Sequence, residues 1–200
     1  YAPADGVATG ASSRAPVAPT AFQTSAVSAT QINLTWTDPN NENNPVTTRV
    51  ERKSGAGSFV QVQETADGVA GYPDTALNAF TTYTYRIRAA NAEGISPYTA
   101  ESSATTHPAV PTLVSAASDS SSQITLTISP NSTAVPAFKI ERKPVGGIYS
   151  EITTIGPGQT TVANTGLAAN TAYTYRARAT NAGIDSGYSN ELTQSTRPVA

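Results

Sequence analysis

Short runs in which apolar and polar residues alternate one for one recur along the chain. Ile32, Leu34 and Trp36 alternate with Asn33 and Thr35, and Ile124, Leu126 and Ile128 are spaced in the same way. Tyr83, Tyr85, Ile87 and Ala89 fall on one side of a period-two pattern, with Thr84, Arg86 and Arg88 on the other. A strand sends successive side chains to opposite faces, whereas a helix would scatter these positions around its axis. Turn chemistry separates the runs: the Asn- and Pro-rich stretch at 38–45, the pair Gly55 and Gly57, and Gly156-Pro157-Gly158. Short alternating runs between frequent turn signals predict an all-β chain built as antiparallel sandwiches.

Self-comparison divides the chain in two. Glu51-Arg52-Lys53 returns as Glu141-Arg142-Lys143, and residues 83–92 return at 173–182, both with an offset of 90. Nearer the start, Pro19-Thr20 maps to Pro111-Thr112 and Gln31-Ile32 to Gln123-Ile124 with an offset of 92. The second copy is therefore two residues shorter between its second and third strands. Internal repetition on this scale marks a tandem of like units. The expected fold is two tandem seven-stranded antiparallel β-sandwiches, at 17–107 and 108–200, preceded by a linker or assembly arm at 1–16. Pro108 and Pro111 restrict the backbone at the junction, which predicts a short, semi-rigid linker and an extended pair.

Trp36 near the end of the second strand, and Leu77 six residues before Tyr83, resemble the fibronectin type III family. Leu167 and Tyr173 repeat the Leu-to-Tyr spacing, and the run from Asn91 to Tyr98 resembles that family's last loop and the start of its last strand. The resemblance implies a core containing Trp36, Leu77, Tyr83, Tyr85, Ile128, Leu167, Tyr173 and Tyr175. It also implies a corner tyrosine whose ring lies in the core while its hydroxyl bonds the backbone. The second copy departs in having Ile128 where Trp36 stands, with Phe138 in place of Thr48 as a source of compensating bulk. Family members serve as spacers in secreted bacterial hydrolases, in adhesins and receptor ectodomains, and in phage virion proteins. The resemblance therefore implies a bacterial or phage extracellular type. The Arg-Gly-Asp tripeptide through which some members bind integrins does not occur in this sequence.

Charged residues make up only 13% of the chain, with a net charge of -2 and no basic stripe. Nucleic-acid binding is not expected, and no apolar run approaches the ~20 residues of a spanning helix. The absence of Cys excludes thiolate metal sites and cysteine nucleophiles. With no Met and an opening at Tyr1, the chain is expected to be a processed product or a fragment. The sole His, His107, stands beside Pro108 and is expected to be an exposed linker residue, so no hydrolytic triad is expected. Asp38 and Glu42 in the Asn-rich loop are the nearest approach to a calcium site, without the dense acidic spacing of a dedicated one. The glycine pairs lack the Gly-Lys-Ser/Thr element of a phosphate loop. Asn33-Leu34-Thr35 and Asn131-Ser132-Thr133 fit the glycosylation pattern. Neither a cofactor nor enzymatic activity is expected.

What remains is surface. Arg86 and Arg88, with Arg176 and Arg178 in the second copy, lie on the outer face of a strand. In the resembled fold the strand carrying Glu51, or Glu141, runs alongside. A cross-strand ladder is one reading of these four arginines, and a partner-binding face is the other. Tyr72, Tyr98, Tyr149 and Tyr188 are expected at the rims, and a carbohydrate ligand finds no row of aromatics to support it. The function expected is a non-catalytic extracellular spacer or protein-interaction module of a larger repeat protein. The alternatives are a self-assembling filament or phage decoration subunit that uses the N-terminal arm, and an accessory module of a secreted glycoside hydrolase.

Overall fold

The computed structural model describes residues 14–40, 44–132 and 134–199. Among them every regular element is a strand. The first copy contains β1 (Thr20–Ala26), β2 (Ile32–Thr37), β3 (Thr47–Ser54), β4 (Val60–Thr65), β5 (Gly71–Asp74), β6 (Thr82–Asn91), β7 (Gly94–Ile95) and β8 (Ser102–Thr105). One sheet has the order β1-β2-β5. The other runs β4-β3-β6, with both β7 and β8 on the far side of β6. The short β7 and β8 are thus two pieces of one interrupted seventh strand. The second copy repeats the plan with β9 (Thr112–Ser118), β10 (Ile124–Ser129), β11 (Ala137–Pro144), β12 (Ser150–Ile155), β13 (Thr161–Asn164), β14 (Ala172–Asn181), β15 (Ile184–Asp185) and β16 (Leu192–Ser195). Its sheets are β9-β10-β13 and β12-β11-β14, with β15 and β16 on β14. Every sheet draws its strands from one copy, so the fold is two tandem β-sandwiches of seven strands each.

The alternation in the sequence becomes the division between core and surface. In the first sandwich Ile32, Leu34, Trp36, Val50, Leu77, Tyr83, Tyr85, Ile87 and Ala89 are buried. In the second, Leu113, Ile124, Leu126, Ile128, Phe138, Ile140, Ile155, Leu167, Tyr173, Tyr175, Ala177 and Ala179 form the core. The two cores are filled differently. Where the first has Trp36 and a buried Thr48 paired across to Thr65, the second has Ile128 and a buried Phe138 paired across to Ile155. The aromatic bulk has moved from the second strand to the third.

Two local features shape the sheets. Between β3 and β4 the register slips at Val50/Glu51, so that Glu51 lies opposite Gln61 and Val62 is the extra residue. The slip recurs between β11 and β12 at Ile140/Glu141, with Ile152 as the extra residue, packed against the core. These are β-bulges, one residue inserted on one strand of an antiparallel pair. The second feature is the corner. The Ala168 N–H donates to the Tyr173 hydroxyl at 3.1 Å, beside buried Leu167. Tyr83 and Leu77 are buried at the equivalent place in the first sandwich.

His107 departs from expectation. It is half-buried rather than exposed, its N–H donates to the Ser28 carbonyl, and its own carbonyl accepts from Phe80 N–H. Backbone pairing therefore ties it to the loop after β1 and the turn before β6. Asp38 Oδ1 accepts from the Asn40 N–H and amide at 2.9 and 2.7 Å, which commits it to a turn. Glu42 and Thr133, invoked above for calcium and glycosylation, lie outside the described residues, as does most of the N-terminal arm. Among the described residues no helix is long and apolar enough to cross a membrane, and no group of three or more His, Asp or Glu is placed to hold a metal ion.

Candidate interaction face

Strand β6 turns Arg86 and Arg88 outward because Tyr85, Ile87 and Ala89 occupy the core side. Strand β3 runs antiparallel beside it and sets Glu51 opposite Arg86 and Arg49 opposite Arg88. Arg86 closes on Glu51 with Nε at 2.9 Å and Nη2 at 2.7 Å, both to Oε2. The other carboxylate oxygen accepts the Tyr98 hydroxyl at 2.6 Å and Arg88 Nη2 at 3.4 Å. The second sandwich repeats this with Arg176 Nε and Nη2 at 2.8 and 2.6 Å from Glu141 Oε2, Tyr188 donating to Oε1 at 2.9 Å, and Arg178 at 3.7 Å.

Aromatic rings complete the arrangement. The Arg86 guanidinium lies over the rings of Phe59 and Tyr98 at 4.1 and 3.8 Å, and Arg88 lies over Tyr98 at 4.5 Å. Lys53 Nζ sits over Phe59 at 4.4 Å. In the second copy Arg176 lies over Tyr149 and Tyr188 at 3.9 and 3.6 Å, Arg178 over Tyr188 at 5.2 Å, and Lys143 over Tyr149 at 4.5 Å. Cations held against ring faces at such distances are attracted by the ring quadrupole. Each copy thus carries a continuous ladder of cation and ring across β3, β6 and the segment before the last strand. Tyr98, Tyr149 and Tyr188 belong to these ladders rather than to the sandwich rims, which corrects the expectation for them.

Both glutamates are ringed by donors, while Arg88 and Arg178 each keep a buried Nε without a partner. Glu51 and Glu141 are each only 7% exposed. Burial opposes ionisation of Glu51, but the Tyr98 hydroxyl, Arg86 and Arg88 together outweigh it and hold its carboxyl below the usual range. For Glu141 burial is likewise the largest influence, outweighed by Arg176, Tyr188 and Arg178. The Tyr98 hydroxyl is pushed up by burial and by the Glu51 carboxylate it bonds. Burial, with the Glu191 carboxylate close by, pushes Tyr149 up to about 12. Every shift runs away from neutrality. A general acid or base needs the opposite, a group poised near the working pH. Chemically, then, the ladder braces a sheet and is not tuned to exchange protons.

The copies differ at the margins of the ladder. Arg49 pairs with Glu64 on β4 at 3.3 Å. Its counterpart Lys139 reaches the other way, to Asp185 on β15 at 2.9 Å, where Arg178 also arrives at 3.1 Å. Position 95, equivalent to Asp185, is an exposed Ile.

A second polar cluster ties the two sheets of each sandwich together. Arg52 on β3 places Nη1 2.9 and 2.7 Å from the two carboxylate oxygens of Asp74 on β5, and the Tyr85 hydroxyl donates to Asp74 Oδ2 at 3.0 Å. Asp74 is 3% exposed and Tyr85 fully buried. The second sandwich keeps the geometry and changes the charge. Arg142 Nη1 and the Tyr175 hydroxyl both donate to Asn164 Oδ1 at 3.0 Å. Burial, ahead of all other influences, pushes Tyr175 up to about 12. The alternation marks Tyr85 and Tyr175 as core rings and carries no sign of their hydroxyl partners Asp74 and Asn164. The signal was present only as Asp74 aligning with Asn164, which looks like ordinary polar drift.

Residues 17–105 match the Fibronectin type III domain family. A solved structure of a two-domain fibronectin type III segment from chicken tenascin is similar over 90% of this chain and 99% of its own, at 18% identity and a TM-score of 0.60. A chicken CNTN1 segment of FN1–FN3 domains is similar over 91% of this chain and 65% of its own, at 20% identity and a TM-score of 0.42. No curated protein matches the sequence. At such identity the tenascin likeness is one of fold, and it agrees with the tandem of sandwiches described above. Fibronectin type III domains are typically non-catalytic adhesive or structural modules, and they are commonly extracellular.

Proposed function

We propose that this chain acts as a non-catalytic structural segment, a rod-like spacer within a larger surface or secreted repeat protein of the bacterial or phage kind. The observation that carries this reading is the closure of the ladder on itself. Arg86 and Arg176 spend their Nε and Nη2 donors on Glu51 and Glu141, and all four candidate arginines lay their flat faces over Phe59, Tyr98, Tyr149 or Tyr188. A surface evolved to grip a charged partner keeps hot-spot cations available for it. Here the same residues stiffen a sheet, and they do so twice, which suits a unit whose duty is to hold shape.

Replacement tests the idea directly. In the parent protein, residues 17–197 are exchanged for an unrelated pair of sandwiches of equal reach. The spacer reading expects attachment or adhesion by the parent to be retained. Its loss, together with loss of a co-purifying partner on charge reversal of Arg86 and Arg88 in the natural chain, would show a specific interaction segment instead.

A further inference from the structure

Residues 14–19 belong to no strand, yet the first sandwich holds them by asparagine side chains that touch only their backbone. Asn40 is bidentate on Val17, accepting from its N–H at 3.0 Å and donating Nδ2 to its carbonyl at 3.1 Å. The Arg14 N–H donates to Asn44 Oδ1 at 3.3 Å, and the Arg14 carbonyl accepts from Asn91 Nδ2 at 2.8 Å. The three amides are themselves linked, with Asn91 Nδ2 at 2.8 Å from Asn44 Oδ1 and Asn44 Nδ2 at 3.4 Å from Asn40 Oδ1. Asp38 fixes Asn40 from behind. Asn44 is 9% exposed, so this network is built into the fold rather than laid on its surface.

The segment so held has its own regularity. Pro16 and Pro19 are buried while Arg14, Ala15 and Val17 are exposed. A spacing of three is one turn of a polyproline helix, which places both prolines on one side. Proline has no N–H and a fixed φ, so such a segment offers carbonyls and a preset shape at small entropic cost. The second sandwich has a partial counterpart of the arrangement. Pro108 and Pro111 are both buried, and Asn131 donates Nδ2 to the Val110 carbonyl and the Thr112 hydroxyl, each at 2.9 Å. The tripeptide Pro-Val-Ala of 16–18 also recurs at 198–200.

We infer that Asn40, Asn44 and Asn91 form a docking site for an extended, proline-led segment, filled in cis by residues 14–19, and that Asn131 is its counterpart at the second lead-in. The site's hydrogen bonds to the segment go to main chain alone, and so it ignores the side chains between the two buried prolines. It fixes how a preceding segment enters the sandwich whatever that segment's sequence. The inference does not depend on the spacer reading, since a dock of this kind suits an adhesive or an assembling chain equally.

Amide hydrogen exchange on the whole chain, followed residue by residue by NMR, tests it. The Val17 and Arg14 amides lie outside every strand and have only asparagine oxygens as acceptors. The dock requires Val17 to exchange at least about tenfold slower than an unstructured amide, protection on the scale of one or two hydrogen bonds. Asn40→Ala is expected to remove that protection while the amides of Val50 and Ile87 stay protected. If Asn40→Ala fails to fold, the double change Pro16→Ala and Pro19→Ala serves in its place, since it alters the docked segment and leaves the sheets untouched. Unprotected Val17 in the unaltered chain, or protection unchanged by Asn40→Ala or by the double proline change, overturns the inference.

Discussion

Asp74 and Asn164 are a comparison already made within one chain. Both sit on the strand facing β3 or β11, both accept from an arginine and a buried tyrosine, and they differ by one charge. Removing Asp74 as Asp74→Ala leaves the Tyr85 hydroxyl buried without its acceptor, at a cost of about 1–3 kcal/mol. It also leaves the Arg52 guanidinium without its counter-ion. Breaking a fully buried pair costs about 3–5 kcal/mol, but the Arg52 side chain is 27% exposed and water relieves part of that. A total of about 3 kcal/mol follows, a large fraction of a small domain's stability. Asp74→Asn installs the second sandwich's solution. It keeps an acceptor for both donors and loses only the charge assistance, which is about 1 kcal/mol. For a domain of this size, 1 kcal/mol moves the melting temperature by roughly 4–8 °C. Calorimetry of the intact chain should therefore show the first sandwich's transition falling steeply for Asp74→Ala and by several degrees for Asp74→Asn. The second sandwich's transition should rise for Asn164→Asp. If Asp74→Asn is as damaging as Asp74→Ala, the charge and not the acceptor is what matters, and the reasoning from the two copies fails.

Trp36→Ala should cost about 3–5 kcal/mol and Ile128→Ala about 2–5 kcal/mol. Each should lower the melting of its own sandwich and leave the other nearly unchanged in the same calorimetric scan; equal shifts of both transitions would show a single cooperative unit. Glu51 and Glu141 have folded pKa values below the unfolded value of about 4.3, so the stability they confer is complete above that pH and is lost as pH falls through the lower, folded value. Glu51→Gln should therefore lower stability at pH 7 and flatten the acid limb of the first sandwich's denaturation profile; an acid limb as steep as before would assign acid lability elsewhere. Ala182→Gly should stabilise the second sandwich by about 1 kcal/mol. Ala182 and Gly183 form a two-residue turn with φ of 47° and 85°, and a higher denaturation midpoint is the expected reading.

The strand pattern, the duplication and the buried set were legible because a half-buried strand writes its period into the sequence. Ile32, Leu34 and Trp36, or Tyr83, Tyr85 and Ile87, need no partner to be recognised. The Glu51–Arg86 pairing was legible through the resemblance, which sets the two strands side by side, together with the outward phase of Arg86. What escaped were contacts between side chains far apart in sequence whose types have several uses. Phe59 and Tyr149 look like isolated aromatics after a turn, and only the guanidinium placed over each shows what they do. They do align at the offset of 90 that relates the arginines, so the repeat held that signal. Tyr85 reads as a core ring because its alternation says so, and alternation is silent about where a hydroxyl ends. The half-burial of His107 was hidden for a different reason: backbone pairing to Ser28 and Phe80 holds it, and backbone pairing has no residue signature.

The bulges at Val62 and Ile152 lie on strands that form one border of their sheets. Two sandwiches of one plan on one chain run a specific risk, because an open border from one copy is a ready template for its twin or for a neighbouring molecule. A border strand with an extra residue offers an incoming strand an interrupted row of donors and acceptors, so pairing begun at one end loses phase partway along. The distortion that lets Ile152 pack against the core is therefore also one that makes this border a poorer template for an added strand. It lies in both copies at the same place, on the side where each sheet would otherwise continue.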